Sequence, residues 1–325
     1  TLSVPLRREG VLIATESIRG SDPMFKSKNS MSRALVRRET TAGYLFLLPS
    51  LFFFVTFVLY PMFLCIYTSF FDSNMGKNAV DVFVGLGNYK ELFRDKLFLG
   101  ALKNTVVIVV VAVPTVCAFS LWVATAIYDM KPALTSAFRC IFYLPVVTGS
   151  VAVTVVWKWM YNSRYGVFNY LFKSLGIIDQ NINWLGDARF ALWCIILILF
   201  TTSVGQPIVL YVSALGNVDH SLVEAAQVDG ANRRQVFWKI KWAQIMPTTL
   251  YILIITTINS FQCFALIQLL TSGGPTHSTD TIMYYIYYTA FKLYRYGYGN
   301  AMGVVLMIII AVLSAVQFKL GQQSD

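Results

Sequence analysis

The chain has 325 residues, of which 56% are hydrophobic and only 13% are charged, whereas charged residues make up about 25% of a typical soluble domain. This deficit argues against a soluble globular protein. The formal net charge of +10 would suit a nucleic-acid-binding protein. Many of the basic residues, however, lie in the first 38 positions, and the enrichment of cytoplasmic segments in lysine and arginine explains that placement better.

Six uncharged, mostly apolar stretches separate successive charged residues, and each has at least 18 residues: 40–71, 104–128, 140–157, 190–218, 242–279 and 296–318. A helix needs about 20 residues to cross the hydrocarbon core. Barrel strands would alternate between apolar and polar residues over about ten residues, and these stretches are apolar all round. The sequence therefore predicts an all-α integral membrane protein with spans near 43–71, 104–128, 138–159, 190–214, 246–270 and 298–318.

The remaining segments predict the domain organisation. Residues 1–39 form a basic N-terminal tail, which we expect to be flexible and cytoplasmic, and residues 40–325 form the membrane domain. The tail has no apolar run long enough for a signal peptide. With six spans, both termini are expected on the cytoplasmic side.

A polar segment between the fourth and fifth spans has the spacing of a short helix. Ser221-x-x-Glu224 matches the capping box that begins a helix. We predict that this helix runs from Leu222 to Val228. Gly230 can adopt the positive φ that ends a helix.

A second helix is predicted directly after the first. Asn232-x-x-Gln235 is another capping pattern, and Val236, Phe237 and Ile240 share a face at helical spacing. The segment is thus expected to be a helix–turn–helix lying across the membrane surface. The residues alone leave two interpretations open, which are a docking site for a soluble partner and an ordinary amphipathic connector.

This segment resembles the EAA loop of bacterial ABC importer permeases of the binding-protein-dependent type. The positions that match the family pattern are Glu224, Ala225, Ala226, Asp229, Gly230, Ala231, Phe237, Ile240 and Pro247. Other segments resemble the sugar-permease branch of that family, related to the maltose and glycerol-phosphate transporters: Gly85-Leu86 with Asn88-Tyr89, Asn104-Thr105, Trp157-Lys158-Trp159, Trp184 to Asp187, and Gly273-Gly274-Pro275. The chain departs from the pattern at Ala243, where a proline is frequent, and at Arg234, where a tryptophan is common.

The resemblance implies a cytoplasmic coupling helix between spans four and five, which docks in a cleft of an ATP-binding subunit. It implies that the coupling residues are Glu224, Ala225, Ala226, Asp229, Gly230, Ala231, Phe237 and Ile240. It also implies four kinds of partner in a bacterial inner membrane: a second homologous permease subunit forming a heterodimer, two cytoplasmic ATP-binding subunits, an extracytoplasmic solute-binding protein, and the lipid bilayer. The chain has no GxxxxGK[ST] phosphate loop, so we expect no enzymatic activity and no cofactor in it. ATP and Mg would then bind the partner subunits.

Polar side chains inside the predicted spans are candidates for the solute path because such groups are costly in a bilayer and often functional. The alternative is that they form hydrogen bonds between helices. The tyrosine cluster Tyr284, Tyr285, Tyr287 and Tyr288 could line the outer mouth of the path or lie at the lipid interface, and we expect the interface. The candidates for the path are Gln206, Asn259, Gln262 and Gln268.

Together these features favour the membrane-spanning permease of an ATP-driven carbohydrate importer. Oligosaccharides, polysaccharide fragments and glycerol phosphodiesters all stay open as solutes. The alternative is an ion-coupled secondary transporter, which usually needs ionisable residues within its spans. A membrane enzyme is a third class, but the sequence offers no nucleophile–base pair, no paired carboxylates in the spans and no metal-ligand spacing.

Overall fold

The computed structural model describes residues 23–73 and 81–322, with side chains described from residue 37 to 321 of these ranges. Two compact units divide the chain between Phe63 and Leu64. The first contains helix α1 (Pro23–Phe54), a π-helical turn and the start of α2 (Tyr60–Thr68).

Helix α1 begins at Pro23, inside the segment predicted as the N-terminal tail. Pro23 occupies the first helical position, where its fixed φ suits a helix and its missing N–H costs nothing. No glycine interrupts the following residues until Gly43. The part of the tail at 1–22 lies outside the described residues.

Among its described residues, the second unit consists of helices and connecting loops with one short antiparallel ladder of β1 (Phe71–Asp72) and β2 (Val82–Phe83). Two π-helical turns, at Phe237–Lys241 and Tyr288–Lys292, lie within its helical segments. Its helices are α3 (Gly87–Leu92), α4 (Lys96–Tyr128), α5 (Pro132–Val147), α6 (Ser150–Met160), α7 (Val167–Ser174), α8 (Ala191–Ser203), α9 (Gly205–Gly216), α10 (His220–Val228), α11 (Arg233–Val236), α12 (Trp242–Phe261), α13 (Ala265–Leu270), α14 (Ile282–Tyr287) and α15 (Tyr296–Gln322).

Helices long and apolar enough to cross a membrane account for the predicted spans. Within the described residues there are five such segments, and the pair α5–α6 makes a sixth if its two helices count as one span. The all-α membrane fold is therefore confirmed. The five segments are Arg37–Thr68, Lys96–Tyr128, Ala191–Gly216, Arg233–Leu270 and Tyr296–Gly321.

The third predicted span is bent rather than straight. Helices α5 and α6 meet at an angle of 95°, so the prediction of one continuous helix over 138–159 is wrong. Pro145 supplies no N–H for the last turn of α5. Thr148 and Gly149 then adopt extended backbone angles, with ψ of 126° and 142°, and the chain changes direction before α6 begins.

Helix α9 lies at the centre of the second unit. Its buried residues Ile208, Tyr211 and Leu215 pack with α4 and α12 in one hydrophobic cluster. Helix α5 packs closely against α9 at Gly205, where a Cβ atom would meet the carbonyl oxygen of Phe142. Because α9 contacts these neighbours along most of its length, a displacement of its end would be transmitted to the bundle.

Side-chain hydrogen bonds hold the segments on the opposite side of the bundle from α10. Asn88 is buried, and its amide donates to the carbonyls of Ser69 and Phe71, both at 2.9 Å. The amide of Asn104 donates to the carbonyls of Ser278 (3.1 Å) and Asp280 (3.0 Å). These two motif asparagines therefore bind backbone of their own chain.

A carboxylate network joins α14 and α15 to the start of α4. Asp95 accepts hydrogen bonds from the hydroxyls of Tyr285 (2.7 Å) and Tyr298 (2.9 Å). Burial would raise the pKa of Asp95, but these hydrogen bonds outweigh it and the pKa is lowered. Tyr284 and Tyr285 are buried, so the expectation that the tyrosine cluster lies at the lipid interface is wrong for both, because their hydroxyls have partners within the chain.

Candidate functional site

Helix α10 begins with an aspartate cap. The carboxylate of Asp219 accepts a hydrogen bond from the backbone N–H of Ser221 at 2.9 Å. Hydrogen bonds from Ser221 hold the pKa of Asp219 below its usual range, so the cap is ionised at neutral pH. The predicted capping role of Ser221 with Glu224 is therefore wrong, since the helix begins at His220, earlier than the pattern indicated.

The end of α10 is a Schellman turn, in which two backbone hydrogen bonds close over a left-handed residue. Gly230 has φ of +82°, which confirms the prediction for this glycine. Its N–H donates to the carbonyl of Gln227 at 3.0 Å, and the N–H of Ala231 donates to that of Ala226 at 2.9 Å. Asp229 is the residue that caps the helix. The direction in which the chain leaves α10 is thus set by backbone geometry.

The second helix of the segment begins as predicted and then differs. Asn232 and Gln235 form a reciprocal capping box, with distances of 2.9 and 2.8 Å. Helix α11 does not end as a separate surface helix, because it continues through the π-helical turn into α12 as one segment, Arg233–Leu270. The helix–turn–helix prediction is therefore corrected: one short helix, α10, is followed by the fifth span, whose helix already begins at Arg233.

The outward face of α10 combines a charge with apolar groups. Glu224 and Ala225 are exposed, as are Leu222 at 49% and Val228 at 87%. Val223, by contrast, packs against the core cluster around α9. This face therefore presents both a charge and apolar groups to a potential partner.

The inward side of α10 borders a groove of about 890 Å³. Ala231 and Phe237, two of the predicted coupling residues, line it. Ile240 is half-buried and is not among the groove residues. The charged side chains of Asp129, Arg233 and Lys241 and the imidazole of His220 also line the groove. Phe237 and Ile240 therefore belong to the base of the segment, whereas Glu224 and Ala225 lie on its tip.

A side-chain hydrogen bond connects the start of α10 to the fifth span. The backbone N–H of Asp219 donates to Oε1 of Gln244 at 3.0 Å. Gln244 lies on α12, just beyond the π-helical turn. Sequence reasoning missed this contact, because 25 positions separate the two residues and no local pattern links them.

A second cavity, of about 160 Å³, lies between α9 and α12. Gln206 and Asn259, both predicted for the solute path, line it. The structure adds Thr202, Ser203, Tyr251 and Thr256 to its polar lining. The sequence carried a weak signal for two of them, since Thr202 with Gln206 and Thr256 with Asn259 lie at helical spacing. The signal is weak because short hydroxyl side chains are common in membrane helices.

The other two predicted path residues lie elsewhere. Gln262 is exposed at the C-terminal cap of α12. Gln268 lies on α13, and its Oε1 is buried without a hydrogen-bond partner among the described residues. The structure therefore brings Gln206 and Asn259 together and does not bring Gln262 and Gln268 to the same cavity.

Comparison with known proteins gives this arrangement its context. A family model described as "Binding-protein-dependent transport system inner membrane component" matches residues 82–322. The probable ABC transporter permease protein YesP of Bacillus subtilis (strain 168) is 33% identical over 304 residues, covering 92% of this chain and 94% of YesP. The lactose transport system permease protein LacF of Rhizobium radiobacter is 32% identical over 288 residues, covering 88% and 95% of the two chains.

The fold is shared with solved structures. Among them is a chain of a bacterial alginate ABC transporter in complex with an alginate pentasaccharide-bound periplasmic protein, with a TM-score of 0.74 and 24% identity over 86% of this chain and 93% of that chain. The family match covers most of the membrane domain, including α10 and the residues of the 160 Å³ cavity. The chain therefore belongs to the family of inner membrane components of binding-protein-dependent transport systems.

Proposed function

We propose that this chain is the permease subunit of an ATP-driven carbohydrate importer, and that α10 is the surface on which an ATP-binding subunit docks. The observation that carries the proposal is the position of α10. It is a capped helix with Glu224 and Val228 exposed on one side, and Val223 packs into the core around α9 on the other. Such a helix can bind a partner and move the bundle.

Besides the packing of Val223 into the core, force applied to α10 has two further routes into the spans. One is the chain itself, through Val218 into α9 and through the turn at Gly230 into α11 and α12. The other is the hydrogen bond between Asp219 and Gln244. A hydrogen bond of this type contributes about 0.5–1.5 kcal/mol, so it aligns α10 with α12 while the covalent connections carry the load. Gln244 thus positions α10.

The 160 Å³ cavity supports the assignment of the solute. Amide, hydroxyl and tyrosine groups form its polar lining, at Gln206, Asn259, Thr256 and Tyr251 among others. Amides and hydroxyls hydrogen-bond to sugar hydroxyls, and an aromatic ring can pack against a sugar face. LacF is named for lactose and the structural neighbour for alginate, which supports a carbohydrate as the cargo. The alternative is that these groups form hydrogen bonds with helices of a neighbouring permease subunit.

The proposal includes the partners implied by the resemblance. A second permease subunit would complete the path as a heterodimer. Two ATP-binding subunits would hold ATP and Mg on the α10 side, and a solute-binding protein would deliver the cargo to the opposite side. The periplasmic protein in the neighbour's complex supports the last of these. Both termini are then cytoplasmic, and ATP binding would bias a membrane domain with two conformations.

A charge reversal tests the docking surface. We expect Glu224→Lys to insert and fold normally, because Glu224 is exposed and its side chain forms no hydrogen bond or ion pair with the described residues. Uptake into vesicles and solute-stimulated ATP hydrolysis should both fall by an order of magnitude or more, as expected for a disrupted charged contact of about 1.5–3 kcal/mol.

The matched control is Asp179→Lys, which makes the same change of charge at an exposed residue on the opposite side. Uptake should be unaffected in this control. Normal uptake by Glu224→Lys would refute the docking role. Uptake that requires a proton or sodium gradient and proceeds without ATP would instead support the secondary-transporter alternative.

A further inference from the structure

A second groove on the α10 side, of about 560 Å³, lies between α5 and α9. It borders the 890 Å³ groove at Tyr128 and shares no lining residue with the 160 Å³ cavity. Pro132, Ser136 and Arg139 of α5 line one wall. Ser213 and Asn217 of α9 line the other. The groove is shallow and lies where α4 and α9 end and α5 begins, which is the level of the membrane surface if these helices span the bilayer.

Arg139 is the charged group of this groove, and its side chain has no hydrogen-bond or ion-pair partner among the described residues. Its Nε is buried and makes no hydrogen bond with the described residues. The ion pairs among the described residues are Arg189–Asp187, His277–Asp280 and Arg295–Glu91, so none neutralises Arg139. An unpaired guanidinium within a membrane helix is costly and is normally paired or hydrated.

The depth of Arg139 fits the phosphate layer of a bilayer. The backbone of Arg139 lies about 10 Å along α5 from Pro132, at the helical rise of 1.5 Å per residue. A long arginine side chain covers this distance by extending toward the headgroups. Tyr143, one helical turn further into the membrane on the same face, is 39% exposed and offers an apolar surface beside the groove. A polar groove that continues into an exposed apolar face has the chemistry of a phospholipid.

We infer that this groove binds the headgroup of an anionic phospholipid of the α10-side leaflet, with Arg139 pairing with its phosphate. A guanidinium presents parallel N–H donors that match phosphate oxygens. The hydroxyls of Ser136 and Ser213 and the amide of Asn217 supply uncharged hydrogen-bonding groups for the rest of the headgroup. Basic pockets between membrane helices on the cytoplasmic side are a known mode of lipid recognition. This inference goes beyond the transport function and does not require it.

The test measures the lipid retained by the purified transport complex. The complex is exchanged into nanodiscs of phosphatidylcholine with graded amounts of phosphatidylglycerol, washed, and analysed by mass spectrometry for each lipid. Wild type should retain phosphatidylglycerol in preference to phosphatidylcholine. Arg139→Gln should lower the retained phosphatidylglycerol about fivefold, the effect of one charged contact near the surface. Arg139→Lys should retain an intermediate amount, because it keeps the charge without the planar fork.

Lys319→Gln is the matched control, since Lys319 is a basic, exposed residue near the end of α15 and is absent from the groove. Its lipid content should equal that of wild type. Equal retention by wild type and Arg139→Gln would overturn the inference. So would equal binding of the two lipids by wild type, displacement of the bound phosphatidylglycerol by inorganic phosphate, or a crosslink that places an acidic residue of a partner subunit on position 139. If Arg139→Gln does not assemble, the lipid preference of wild type and the Arg139→Lys variant still decide the question.

Discussion

Gly230 offers the sharpest quantitative test of how α10 is held. It has φ of +82°, and no atom lies within 4 Å of the position that a Cβ would occupy. The cost of Gly230→Ala is therefore confined to the backbone, at about 1–2 kcal/mol for a left-handed non-glycine residue. A penalty of this size changes the ratio of ordered to frayed turn by a factor of about 5–30.

The consequence is a lower population of correctly oriented α10. Since apparent affinity falls with the fraction of competent conformer, the ATP-binding subunit should bind the Gly230→Ala membrane complex more weakly, by at most the same factor of about 5–30. Titration of the purified subunit against the complex in nanodiscs measures this affinity. Gly230→Asn is the control, because asparagine tolerates the left-handed region, and it should bind better than the alanine variant. Identical affinities for wild type, alanine and asparagine variants would refute the reasoning.

Three further changes test other parts of the structure. Gln244→Leu should raise the amount of ATP hydrolysed per solute transported, because the N–H of Asp219 loses its acceptor. Gln244→Glu keeps an oxygen at this position and should have the wild-type ratio. An unchanged ratio in the leucine variant would count against the alignment role. Gly205→Ala should destabilise the protein by about 1–3 kcal/mol through overpacking, measured by thermal unfolding in detergent, whereas Gly100→Ala, with nothing within 4 Å, should be tolerated. The pKa of Asp95 is lowered in the fold. Its ionised carboxylate therefore stabilises the folded protein above the unfolded pKa of about 3.9, and this contribution is lost as the pH falls through the lower folded pKa. Asp95→Asn should flatten this loss of thermal stability at acid pH, and an unchanged pH profile would contradict the expectation.

Local chemistry explains which features could be predicted from the sequence. The long uncharged stretches predicted the spans because a bilayer forbids most alternatives. Gly230 and the box of Asn232 with Gln235 were predictable because their hydrogen bonds join residues within one turn. The N-cap of α10 was assigned to Ser221 instead of Asp219 because both residue types can cap a helix and they lie two positions apart.

The remaining features depend on contacts between distant segments. A proline such as Pro145 is compatible with a straight span, so the bend at residues 148–149 depends on how the chain packs. Tyr285 is buried because Asp95 lies beside it, 190 positions away in the sequence. The pairing of Gln206 with Asn259 in one cavity likewise follows from the packing of α9 against α12, which no single-sequence pattern encodes.

The central claim is that α10 contacts the ATP-binding subunit. The most direct measurement places a photo-crosslinking amino acid at position 224 in the assembled transporter, with position 103 near the opposite end of α4 as the control. Crosslinking should attach the ATP-binding subunit to position 224 and not to position 103, and ATP should change the yield at position 224. An assembled, ATP-hydrolysing transporter with no crosslink to its ATP-binding subunit at position 224 or at neighbouring positions 222 and 228 would contradict the claim.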